Sequence, residues 1–155
     1  MLEVMKLKVK IVCAKDKYTE IETQLKKAGF IISDDADFVL KEVDYIQDSF
    51  IGLIDSQYEV VHYSKILYFE SFNHDVFMKT LDKTYQIKEK LYEIESVLSE
   101  KGFIRINKSQ IINKFAIKTL IPSFNTRINL IMKNEDLLYV TRVYSSNFKE
   151  FIGFK

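Results

Sequence analysis

From Ser49 onward the chain is a succession of short apolar segments parted by turn formers: "FIGLI", "YEVVHY", "KILYFES", "VFMKTL", "KTYQIK", "FIRIN", "SQIIN", "AIKTLIP", "RINLIMK" and "DLLYVTR". Each is too short for a helix of ordinary length, and most alternate apolar and polar residues, as half-buried strands do. A single longer stretch, "KEKLYEIESVLSEKG", spaces Leu91, Ile94, Val97 and Leu98 along one helical face and stops at Gly102. A shorter amphipathic stretch, "SSNFKEFIGF", closes the chain. Roughly ten strands around one long and one short helix predict a mainly antiparallel β domain. The aromatic content, 12 Phe and 9 Tyr, suits sheet.

The first residues follow a different pattern. "KLKVKIVC" alternates, with Leu7, Val9, Ile11 and Cys13 opposite three lysines. "DKYTEIETQLKKAG" places Tyr18, Ile21, Leu25 and Ala28 at helical spacing, with Asp16 expected as N-cap and Gly29 as terminator. "FII" and "FVLKEVDYI" resume as strands around "SDDAD". The sequence therefore divides into a small β-α-β-β unit over residues 1–47 and a β domain over residues 48–155.

The chemistry of most enzyme classes is missing. His62 and His74 are the chain's 2 histidines and have no metal-ligand spacing, so no metal or other cofactor is expected. Neither a nucleophile elbow nor a Gly-rich phosphate loop occurs. Asp34, Asp35 and Asp37 read as a solvated acidic turn, and Cys13 as a small apolar residue on a strand face. One cysteine allows no internal disulfide, and no apolar block resembles a signal peptide or membrane span; a cytoplasmic protein is expected.

The net charge of +1 hides an asymmetry. Residues 1–60 hold 8 Lys against 12 Asp and Glu, a balance of −4; residues 61–155 hold 15 Lys and Arg against 10 Asp and Glu, a balance of +5. An anionic partner would meet the second part. Three of its turns carry amides, imidazole and cations: Asn73-His74-Asp75 in "SFNHD", Asn107-Lys108-Ser109 in "NKS", and "TRVYSSNFK" with Arg142, Asn147 and Lys149. Such groups suit phosphate oxygens and base edges. They equally suit ordinary turns, because Asn and Ser are turn formers.

Four blocks, in order, resemble the LytTR DNA-binding domain of bacterial transcription regulators. They are "SKILYFES", "LYEIESVLSEKGFIRINKSQIIN", "AIKTLIP" and "LYVTRVYSSNFKEFI". The resemblance spans residues 48–152, and the second block is its most specific part. It implies an elongated, mostly antiparallel fold of about ten strands. It implies double-stranded DNA as partner, read in successive major grooves by Asn73 and His74, by Asn107, Lys108 and Ser109, and by Arg142 and the residues after it, Asn147 among them. Lys149 would meet a phosphate. It also implies a homodimer on repeated half-sites and, because the sequence has no receiver domain, a small membrane protein that restrains it. Val143 stands where the family often has a second basic residue. The alternative is a protein-protein interaction module without sequence-specific DNA binding.

Overall fold

The computed structural model describes residues 6–124 and 127–154. The chain forms two compact units, Met1–Ile46 and Gln47–Lys155.

In the first unit, β1 (Lys8–Val12), α1 (Lys15–Lys27), β2 (Ile31–Ile32) and β3 (Phe38–Lys41) form a parallel sheet ordered β2-β1-β3 with one helix. Val9 and Ile11 are buried in β1, and Ile21 and Leu25 of α1 are half-buried. Gly29, at a φ of +95°, ends the α1 segment as expected. Asp16 does not cap the helix: the N-cap is Ala14, and Asp16 lies inside the first turn. Glu42 instead holds the N-cap residue itself, taking a bond from the Ala14 N–H at 3.1 Å and pairing with Lys17. These contacts, Lys17 first and the Ala14 N–H second, hold the Glu42 carboxyl below its ordinary range. The strand expected through Ile46 stops at Lys41, and Asp44 has a φ of +63°, which extended backbone does not adopt.

The second unit is rich in strand. Seven strands make one sheet: β4 (Ser49–Ile54), β5 (Gln57–His62), β6 (Tyr68–Phe72), β7 (Asp75–Lys79), β8 (Thr84–Ile87), β9 (Phe103–Asn107) and β10 (Gln110–Asn113). Their order is β5-β4-β8-β7-β6-β10-β9, antiparallel throughout. A second antiparallel sheet holds β11 (Ile117–Pro122), β12 (Ile128–Met132) and β13 (Leu137–Val140). The mainly β architecture is as the segment pattern predicts.

The helix lengths differ from expectation. α2 (Leu91–Leu98) has 8 residues and α3 (Arg142–Ile152) has 11, so the closing helix is the longer. The α2 segment starts late, where the Lys90 N–H donates to Glu93 Oε1 at 3.1 Å, and it tightens to a 3-10 turn before Gly102 at a φ of +91°. α3 begins three residues earlier than "SSNFKEF" suggests, so Arg142 is its first residue.

Two cores support these sheets. Phe50, Phe69 and Phe103 pack ring to ring at 5.2 and 5.8 Å under α2, which buries Leu91, Ile94, Val97 and Leu98. Each such buried side chain stabilises by about 1.5–3 kcal/mol. The other core joins Ile106 and Ile112 to Leu130, Val140 and Phe148, and so brings the three-stranded sheet and α3 against β9 and β10. Tyr68 bridges the two sheets with an O–H···O bond of 2.6 Å to Asp136.

Candidate nucleic-acid interface

β6 and β7 are joined by a two-residue loop, since Phe72 pairs with Asp75. Its residues, Asn73 and His74, have φ of +50° and +70°. Positive φ at both central residues defines a type I′ turn, the hairpin loop that matches strand twist. Asn accepts this conformation readily, whereas Gly would be the least strained choice at the second position. Both side chains are exposed.

The turn between β9 and β10 is built differently. Asn107 Oδ1 accepts from both the N–H and the hydroxyl of Ser109, at 2.9 and 3.1 Å, closing an Asx turn. The Asn107 amide donates to Gln110 Oε1 at 2.8 Å and to the Tyr139 carbonyl at 3.0 Å. Arg105 supports the same turn, giving one N–H to the Lys108 carbonyl at 2.9 Å and another to Glu95 at 3.3 Å. Asn107 and Ser109 are therefore engaged inside the turn, and Lys108 is its exposed side chain.

Two main-chain bonds gather the three segments. The Ser71 N–H donates to the Ser109 carbonyl at 2.8 Å, and the Thr141 N–H donates to the Ile106 carbonyl at 3.0 Å. With Gln110 opposite Glu70, the 73–74 and 108–109 turns lie at the same end of the large sheet. The Thr141 bond brings the start of α3 to that end as well.

Along α3, Arg142, Ser146 and Lys149 are spaced so that one edge of the helix carries all three. Asn147 sits about 140° round the helix from Arg142 at 100° per residue. It lines a groove with Glu95, Ser99, Arg105 and Glu150 instead. The Thr141 side chain makes no capping bond to the first N–H groups of α3.

Arg127 is a further cation near these segments that neither the turn pattern nor the family resemblance singles out. It is exposed and directly precedes β12, and because Ile128 pairs with Val140 it stands beside Thr141. In the sequence it opens the strand segment "RINLIMK", although the residues before it, "SFNT", are polar in the manner of the other turns.

The family model for the LytTr DNA-binding domain matches residues 56–153. This chain belongs to the LytTR family. An uncharacterized HTH-type transcriptional regulator of Staphylococcus aureus (strain bovine RF122 / ET3-1) is 34% identical over 100 residues, 64% of this chain and 67% of that protein. Another from S. aureus strain NCTC 8325 / PS 47 is 30% identical over 121 residues, 77% of this chain and 82% of that one. Among solved structures, the LytTr DNA-binding domain of a putative methyl-accepting/DNA response regulator from Bacillus cereus superposes with a TM-score of 0.66. It is 27% identical and covers 70% of this chain and 99% of that one. Although the staphylococcal relatives are named HTH-type, the matched LytTR region here has no two consecutive α-helices among the described residues: five strands separate α2 from α3.

Within the family match, the apolar and amide positions of "FIRINKSQIIN" build the turn. Phe103 and Ile111 are buried, and Asn113 caps the next 3-10 turn by accepting from the Phe115 N–H at 3.0 Å while donating to the Ile66 carbonyl at 3.0 Å. No group of His, Cys, Asp or Glu among the described residues could hold a metal ion. Among the described residues no helix is long and apolar enough to cross a membrane.

Proposed function

We propose that this LytTR-family chain is a sequence-specific transcriptional regulator of the bacterial cytoplasm that reads DNA with His74, Asn73, Lys108 and Arg142. The observation that carries this is the convergence of three segments, far apart in sequence, at one end of the β domain. Each presents exposed polar or cationic side chains there. The size of a major groove, about 12 Å wide, admits such turns. His74 supports the reading independently, because it occupies a positive-φ position where glycine would be less strained.

In this account Asn107 and Ser109 hold the second turn in shape. Lys149, on the Arg142 edge of α3, meets phosphate, and Asn147 stays with the groove beside α2. Two copies bind repeated half-sites, with the β-α-β-β unit as the contact between them; exposed Phe38 and Leu40 of β3 give that unit an apolar surface to bury.

An interaction module is the second reading, and one observation favours it. Ile51, Tyr58 and Val60 lie side by side on the face of β4 and β5, 54%, 72% and 72% exposed. Quantitative footprinting on the DNA upstream of the chain's own gene separates the two. A regulator protects a discrete segment, and Lys108→Ala and Arg142→Ala weaken that protection. An interaction module leaves the cleavage pattern unchanged at every protein concentration.

A further inference from the structure

Three arginines occur in the chain. Arg105 is engaged by Glu95 and the Lys108 carbonyl. Arg127 and Arg142 are both exposed, and neither pairs with a carboxylate among the described residues. The β12–β13 register ends with Ile128 against Val140, so Arg127 on one side and Thr141, followed by Arg142, on the other flank that last pair. Paired antiparallel strands lie about 5 Å apart, and Arg127 and Arg142 stand one and two residues beyond that last pair, at the same end of the sheet. The Arg127 backbone is fixed as well: its carbonyl accepts from the N–H and the hydroxyl of Ser123 at 3.0 and 2.9 Å.

Two unpaired cations held near one another repel, and an anion that meets both removes the repulsion. From these observations we infer that Arg127 is a contact to a DNA backbone phosphate, working beside Arg142. This rests on the DNA-binding reading and extends the interface to the end of the β11–β12 loop. Phosphate is favoured over a base edge by position. The contacting segments follow one another from the β6–β7 turn through the β9–β10 turn to Thr141 and then Arg127. At roughly 5 Å per strand that line exceeds the ~12 Å width of one major groove, so its outermost member meets the wall of the groove.

The test is fluorescence anisotropy with two labelled duplexes of about 30 base pairs, the DNA upstream of the chain's gene and a random sequence, over about 50–200 mM salt. The full chain, Arg127→Ala, Arg127→Lys and Arg142→Ala are compared, with thermal unfolding as a check on the fold. For Arg127→Ala we expect a similar loss, about threefold to tenfold, on both duplexes, with the slope of log affinity against log salt reduced by about one. Arg127→Lys should recover most of that affinity, and Arg142→Ala should weaken the upstream duplex more than the random one. Wild-type affinity and slope in Arg127→Ala would overturn the assignment while leaving the regulator reading intact. A loss on the upstream duplex alone would make Arg127 a base contact and overturn the phosphate assignment. Failure of the unmodified chain to bind either duplex at low salt would overturn the regulator reading, and this assignment with it.

Discussion

The side-chain amide of Asn107 donates to the main-chain carbonyl of Tyr139 at 3.0 Å, across 32 positions of sequence. That bond, with the Thr141–Ile106 bond at 3.0 Å, fixes the β9–β10 turn against the strand that leads into α3. Lys108 and Arg142 hold their relative positions because of it.

Asn107→Ala removes this tie and opens the Asx turn at once. The expected cost is about 1–3 kcal/mol, read as a lower urea midpoint. DNA affinity should fall on every sequence, because Lys108 loses its fixed position. Asn107→Asp keeps the acceptor for Ser109 but loses the donor to Tyr139, so it should lie between the two. An unchanged midpoint for Asn107→Ala would remove its structural role.

Lys108→Ala and Arg142→Ala take away exposed side chains and should leave the unfolding midpoint within about 0.5 kcal/mol of wild type. Arg142→Ala should cost about 1–3 kcal/mol in binding the preferred site if it grips a base edge. Unaltered footprinting titrations for both variants would remove these two residues from the interface.

His74→Gly separates function from folding in the opposite direction. Glycine accepts the +70° φ without a side-chain penalty, so the hairpin should be as stable or slightly more so, by up to about 1 kcal/mol. DNA binding should nevertheless weaken. A gain in stability with full affinity would make His74 an ordinary turn residue.

The Tyr68–Asp136 bond predicts a pH dependence. Burial first, and the Asp136 carboxylate second, push the Tyr68 hydroxyl well above its ordinary value. A group whose folded value is raised contributes stability that is complete below its unfolded value of about 10 and is lost as pH rises beyond it. Urea midpoints should therefore fall from about pH 9 upward. Tyr68→Phe should start lower, by about 1–3 kcal/mol, and show a shallower alkaline decline. Equal alkaline slopes for the two proteins would mean that other groups set the loss.

Much of the fold follows from local pattern. "FIRIN" became β9 residue for residue because alternation is bounded by Gly102 on one side and a polar turn on the other. Boundaries failed where a distant partner decided them. The N-cap of α1 draws on Glu42 from beyond β3, and α3 starts at Arg142 although the segment "DLLYVTR" reads as strand through that residue. The candidate site divides in the same manner. Positions of the polar turns were visible because Asn, Ser and His mark them. That the amide of Asn107 is used internally was not, since its acceptor belongs to Tyr139. Arg127 reads as the opening of the strand "RINLIMK", and only the β12–β13 register sets it beside Thr141.

The most direct measurement is anisotropy of the full chain titrated onto the DNA upstream of its own gene, with unrelated DNA of equal length as control, at low and moderate salt. Convergence of Asn73-His74, Lys108 and Arg142 on DNA predicts binding at least about a thousandfold tighter to the upstream duplex, weakening as salt rises. Equal affinity for both duplexes would contradict sequence reading by these segments.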